Sequence, residues 1–273
     1  MFERFVSIRV QELFVEIINL RDSRDIDLLQ EVYEKLYLSC FTDPDEQEDL
    51  EQYRERLFDP QKPTPQPRTH FLVAGESLGD PKRRVLAGML IYELYRESSC
   101  GLLTYIAVNP AGRGHGLGRR LVRQAIDSLA KECEAAGGHL RGVFAETHDP
   151  RLIDPADDAM SPKDRVEVMK RLGSMLIPVR YVQPELRPGD GRSRKLLLLV
   201  FPIVLNEPPQ VSGRALLDFM HEFYRALGVA NPSQDPDFLT IQQDVEQSLR
   251  NLTHPQLLQT AADLQLPIVR WDS

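Results

Sequence analysis

An apolar run, Leu102–Asn109 (LLTYIAVN), leads into an amphipathic stretch, Leu117–Cys133, through a junction in which Gly112, Gly114, Gly116 and Gly118 take every second position. The run reads as a buried strand. Leu117, Leu121, Val122, Ala125, Ile126 and Leu129 fall on one face at helical spacing, and Gly137-Gly138 ends that helix. Glycine is needed where φ is positive or where a Cβ would strike a bound group. Backbone N–H groups at a helix start converge on one point, and the helix dipole adds positive potential there. The unit therefore predicts an anion site, most simply for phosphate. Two familiar phosphate turns fail. GxxxxGK[ST] is absent, and the alternating glycines do not match GxGxxG.

Flanking elements narrow the fold. Strand-like runs lie at Glu12–Leu20, Phe71–Ala74, Val85–Tyr95, Leu102–Asn109, Leu140–Glu146, Leu176–Tyr181 and Lys195–Val204. Helical spacing covers Asp22–Cys40, Pro44–Phe58, Leu117–Cys133 and a stretch through Leu172 that Ser161-Pro162 opens as N-cap and first turn. Three of these strands follow one another without a helix, so the expected class is α+β, a mixed, mostly antiparallel central sheet flanked by helices. After LNEPPQVSG only helices remain, Gly213–Leu227 and Asp237–Leu252. A boundary near residue 206 separates an expected domain, 1–205, from a C-terminal helical extension, 206–273. Pro60, Pro63, Pro65 and Pro67 mark a loop.

Composition bounds the function. The 273 residues carry 33 basic and 41 acidic side chains, a net charge of −8, which argues against a nucleic-acid partner and favours cationic small ones. Leu196–Leu205, the longest apolar run, is about half of what a membrane span needs, and the N-terminus lacks a signal-peptide core. Cys40, Cys100 and Cys133 form no CxxC pair, and no HExxH spacing occurs. The expectation is a cytoplasmic protein without metal or disulfides.

One further pattern fits the junction: [Arg/Gln]-x-x-Gly-x-[Gly/Ala], here Arg113-Gly114-His115-Gly116-Leu117-Gly118. With the strand before it, the helix after it and the order of elements, residues 10 to 205 resemble the GCN5-related N-acetyltransferase (GNAT) family. The resemblance implies acetyl-CoA as co-substrate, with its pyrophosphate on Arg113, Gly114, His115, Gly116, Leu117, Gly118 and Arg119. It also implies that Leu102–Asn109 splays from Leu140–Glu146. Pantetheine would pair with backbone near Ile106 and Val108, and the thioester would sit near Ile106 or Ala107.

Direct transfer needs a neutral amine. For an alkylamine of pKa about 10.4, deprotonation at pH 7 costs about 4.6 kcal/mol, so a base or water relay must take the proton. Glu146, ending its strand at the mouth of the splay, is the first candidate. A solvated strand-end glutamate would show the same pattern. Glu93 is the second, as base or as substrate-binding carboxylate. Tyr105, beside the expected thioester, is a relay or a core residue, and His148 would act through water.

Two positions depart from the family. Leu102-Leu103 stands where many members have a glutamate. Met169 stands where many have the tyrosine that protonates the thiolate, four residues before Gly173, and Tyr181 is a substitute. Asp149, Asp154, Asp157 and Asp158 form an acidic loop, either solvated or suited to a cationic acceptor. The expected activity is acetyl transfer to an amine of a small molecule or protein. The alternatives are a non-catalytic acyl-CoA sensor or interaction module, or use of a different acyl-CoA. The terminal helices would cover the core, form a homodimer surface or lid the acceptor site.

Overall fold

The computed structural model describes residues 15–42, 47–59, 67–153, 160–187 and 189–252. Pro60, Pro63, Pro65, Asp154, Asp157 and Asp158 lie outside them, as does the expected first strand before residue 15. Described elements begin with β1 (Glu16–Asn19) and α1 (Leu20–Ser23). The expected helix 22–40 is divided. Arg24 takes a left-handed φ of 55°, and Asp25 then caps a new start, accepting from the Leu28 N–H at 2.8 Å. From there α2 (Ile26–Val32) runs through a π-helical segment (Tyr33–Tyr37) into α3 (Leu38–Cys40). α4 (Leu50–Phe58) follows.

The sheet-forming part comprises β2 (Arg68–Glu76), β3 (Val85–Tyr95), β4 (Cys100–Val108), α5 (Leu117–Ala135), β5 (Gly142–His148), α6 (Pro162–Leu172), β6 (Met175–Leu176) and β7 (Leu196–Val200). α7 (Gly213–Ala226) and α8 (Pro236–Leu252) close the described chain. The last two strands are shorter than their apolar runs. Pro178 and Pro202 follow β6 and β7 within two residues, and proline has no N–H to give a ladder. The seven strands form one sheet in the order β1-β2-β3-β4-β5-β7-β6. Pairing is antiparallel except between β4 and β5, because α5 carries the chain back across the sheet before β5 begins.

Alternation along the strands gives each face its own core. On one face Leu72, Leu90, Tyr92, Val143, Ala145 and Leu199 meet Leu121, Ala125 and Leu129 of α5 and Met169 of α6. The other face carries two clusters. Near β2 and β3, Phe71, Val73, Met89 and Ile91 pack against Leu28, Val32, Tyr37 and Tyr53. Near β5 and β7, Phe144, Leu198 and Val200 pack against Leu216, Phe219, Met220 and Phe223 of α7.

α7 is thus integral to the sheet's packing. Phe219 stacks on Phe144 at 4.4 Å and meets the edge of Tyr95 at 5.2 Å. Glu222 accepts from the Glu97 N–H, the Ser98 N–H and the Ser98 hydroxyl at 3.1, 2.8 and 2.8 Å, which pins the β3–β4 turn. Phe219→Ala is expected to cost about 3–5 kcal/mol of stability through the cavity it leaves; urea denaturation of the two proteins measures it. Among the described residues no helix is long and apolar enough to cross a membrane.

Candidate active site

The parallel ladder between β4 and β5 is short. It pairs Cys100 with Gly142, Gly101 with Val143, Leu102 with Phe144 and Leu103 with Ala145. Beyond Leu103 the strands part. β4 continues on β3 as far as Val108 opposite Gly88, and β5 continues on β7 as far as His148 opposite Leu196. The separation starts at a bulge. Ile91 faces Tyr105 and Tyr92 faces Leu103, so Thr104 is the extra residue. Its hydroxyl donates to the Ile91 carbonyl at 3.1 Å. An extra residue bends its strand and raises the local twist, which turns the far half of β4 away from β5. The result is a cleft between Thr104–Val108 and Glu146–His148.

At the end of the cleft the chain turns into α5. The Asn109 N–H donates to the Ala87 carbonyl at 2.9 Å, and the Gly112 N–H to the Asn109 carbonyl at 2.8 Å. Gly114 and Gly116 have φ of 84° and 75°, a conformation that other residues rarely adopt. Gly116 is the N-cap of α5, which has no side-chain cap, and the Arg120 N–H donates to the Gly116 carbonyl at 3.1 Å. The N–H groups of Leu117, Gly118 and Arg119 precede that bond in the helix and point out of its end.

A Cβ on Gly114 or Gly116 would meet no protein atom within 4 Å, so the space in front of the turn is open. At Gly118 a Cβ would come 3.3 Å from the Leu172 side chain, so this glycine serves the approach of α6. Arg113, His115 and Arg119 are exposed, and Leu117 is buried. The Arg113 Nε donates to the Val108 carbonyl at 3.1 Å, and the Arg119 guanidinium to the Arg171 carbonyl at 3.0 Å. Ile106 and Val108 turn towards α5, and Ala107 turns to the opposite face. An open, uncapped helix start at the end of a split sheet fits a phosphate group that carries an extended arm into the cleft.

Glu146 lies on β5 just past the last β4–β5 pair, on the face covered by α7. Its carboxylate accepts from the Tyr181 hydroxyl and from the Gln183 amide, the latter at 3.0 Å to each oxygen. Burial pushes its pKa up to about 7. The two donors pull it down, and the Glu93 charge adds to the rise.

Glu93 sits on β3 opposite Leu102 and is buried. It accepts from the Tyr95 hydroxyl at 2.9 Å and from Thr69 at 3.3 Å, and it pairs with Arg56 at 3.2 Å. Burial raises its pKa, against the pull of Arg56. Arg56 of α4 also pairs with Glu48, which in turn accepts from the Tyr53 hydroxyl at 3.0 Å.

Tyr105 packs into an aromatic group. Its ring meets Tyr37 at 5.0 Å and Phe41 at 4.8 Å, edge to face. Its hydroxyl is hydrogen-bonded to Tyr37, next to the Tyr53–Glu48–Arg56 group that leads to Glu93. Met169 is buried on the opposite face, towards α5. His148 lies 3.4 Å from the Arg165 guanidinium, and Asp149 is ion-paired with Arg151 at 2.6 Å. Sequence reasoning missed Glu48, Arg56 and Gln183. Glu48 and Arg56 are charges in an acidic stretch, where nothing distinguishes a buried pair from a solvated one. Gln183 had one signal, its position two residues from Tyr181 at strand spacing. Among the described residues no group of three or more His, Cys, Asp or Glu side chains is placed to hold a metal ion.

A mostly antiparallel sheet, split between its two parallel strands and followed by a glycine turn at a helix start, is the arrangement that the GNAT resemblance implies. Residues 30–150 match the family model of the acetyltransferase (GNAT) family. Solved structures give similarities at low identity. A protein described as a GNAT-family acetyltransferase from Bacteroides thetaiotaomicron is 21% identical, over 68% of this chain and 85% of that one, with a TM-score of 0.41. Another from Desulfovibrio desulfuricans is 20% identical over 70% and 99%, with a TM-score of 0.44. The ribosomal-protein-S18-alanine N-acetyltransferase from Escherichia coli is 16% identical over 71% and 96%, with a TM-score of 0.40. A search of curated proteins found no match.

Proposed function

We propose that this protein is an N-acetyltransferase that moves an acetyl group from acetyl-CoA to an amine by direct attack, with Glu146 as general base. The observation that carries the reading is the position of Glu146: a half-buried carboxyl, held by two donors and with its pKa pushed up to about 7, on the strand that borders the cleft just past its last pairing. A base of that pKa is matched to proton transfer near neutral pH. Acetyl-CoA, held with its pyrophosphate on Arg113–Arg119, supplies the activated acyl group. The amine nitrogen forms the new bond to the carbonyl carbon, the C–S bond breaks and CoA leaves as thiolate. The amine proton passes to Glu146, directly or through one water, and the thiolate takes its proton from solvent.

Glu48 and Glu93 flank the Arg56 guanidinium, and Glu146 adds a third carboxyl beside Glu93. That balance supports a cationic acceptor, whose charge would be attracted before it gives up its proton. Residues 1–205 would then form the catalytic domain and 206–273 its extension. Incubation with acetyl-CoA and a panel of diamines, polyamines and N-terminal peptides, read by thiol release, tests the activity. Turnover is expected with at least one cationic amine; tight CoA binding without acylation of any member would contradict the proposal.

A further inference from the structure

The segment that carries Tyr181 and Gln183 has little sheet of its own. Between β6 and β7 its described ladder contact is an isolated pairing of Gln183 with Ser193. The C-terminal helices grip both of its arms. Tyr224 of α7, wholly buried, donates from its hydroxyl to the Val182 carbonyl at 2.6 Å. Val182 is the residue between the two donors to Glu146. Two residues before Val182, Asp244 of α8 accepts from the Arg180 N–H at 2.7 Å and from its guanidinium at 2.7 Å. On the returning arm Arg192 pairs with Asp235 and Asp237, and Arg194 with Asp237. These anchors lie beyond residue 223, far along the chain from the family match at 30–150.

We infer that Tyr224 and Asp244 are positioning residues: the C-terminal helices fix the Tyr181–Gln183 segment, and that segment's two donors orient the Glu146 carboxylate in the cleft. The catalytic part of this inference rests on Glu146 as base; the hold on Glu146 does not. The groups facing Glu146 are Tyr181 and Gln183 from the segment and Glu93 from β3, with Tyr95 and Tyr224 beside Tyr181. Donors stabilise the charged carboxylate, so their displacement raises its midpoint while the surrounding packing still excludes water.

The test has two readouts. The first is the titration of Glu146 by 13C NMR of labelled glutamate, its signal identified by loss in Glu146→Gln. Tyr224→Phe keeps the ring against Phe223 and Phe238 and removes one hydroxyl. It is expected to raise the midpoint by about half a unit or more. Asp244→Ala, changed at the partly open Arg180 contact, is the second variant and should shift it the same way, including where Tyr224→Phe fails to fold. Unmoved midpoints in the folded variants overturn the inference whatever the activity.

The second readout is kcat for the best acceptor. Tyr224→Phe is expected to lower it about tenfold with KM for acetyl-CoA within about twofold. The same change in a Glu146→Gln background should have little effect. Equal losses in both backgrounds overturn the route through Glu146. A raised midpoint with unchanged kcat upholds the positioning and removes Glu146 as base.

Discussion

Replacing Glu146 by glutamine is expected to lower kcat by about 100-fold or more at pH 7.5, the range general-base catalysis supplies, with affinity for CoA nearly unchanged. Glutamine matches the shape of glutamate and accepts a hydrogen bond but takes no proton. The pH dependence follows from the same group. A base works in its deprotonated form, and burial sets the Glu146 midpoint at about 7. Activity of the unmodified enzyme should therefore rise with pH through about 7, and Glu146→Gln should lose that limb. Full activity in the variant would remove Glu146 from the mechanism. Loss of turnover together with loss of CoA affinity would place the damage in the fold of the cleft instead.

Gly116→Trp is expected to weaken CoA binding by about 100-fold or more, measured by calorimetry. A Cβ there meets no protein atom within 4 Å, so an indole would occupy the open space over the first turn of α5, where the phosphate is proposed to lie. Losing two or three charge-assisted hydrogen bonds, each about 1.5–3 kcal/mol, is sufficient for that change. The φ of 75° adds a strain of about 1–2 kcal/mol for any side chain. Melting should then fall by no more than about 8 °C. Unchanged affinity would refute the phosphate assignment, and a collapsed melting transition would show that the turn is needed for folding.

The strand–turn–helix unit was legible because its constraints are local. Positive φ at Gly114 and Gly116, the helical face of Leu117 to Leu129 and the stops at Gly137 and Gly173 are each properties of a few adjacent residues. The class of the sheet was equally open, since three strands in sequence leave little choice but antiparallel pairing. Boundaries were harder. An apolar run such as 195–204 shows where burial can occur, but the ladder stops where Pro202 cannot donate. The split at Arg24 depended on the cap offered by Asp25, which competes with the longer helical pattern around it.

The chemistry outside the turn was legible only in pieces. Glu146 and Tyr181 were each visible, but 35 residues separate them, and no spacing rule joins them. Their contact depends on how α7 and α8 seat the intervening segment. The partners of Glu93 were invisible for a similar reason: Glu48 and Arg56 come from a loop and a helix, and charge patterning alone assigns both to solvent. Tyr105 shows the converse. It is expected beside the thioester from its place on the strand, and its ring packs into an aromatic group with Tyr37 and Phe41, contacts that no local pattern shows.

The four rungs from Cys100 to Leu103 are the whole ladder between the two halves of the sheet. So narrow a joint would leave the angle of the cleft weakly determined by backbone bonding. α7 crosses under it like a splint: it meets Tyr95 of β3, Cys100 of β4 and Phe144 of β5, in one apolar cluster with Leu102 and Val200. The width of the cleft is therefore a property of side-chain volume in that helix as much as of strand pairing. Substitutions there that alter bulk without unfolding the protein would tune how far the halves stand apart.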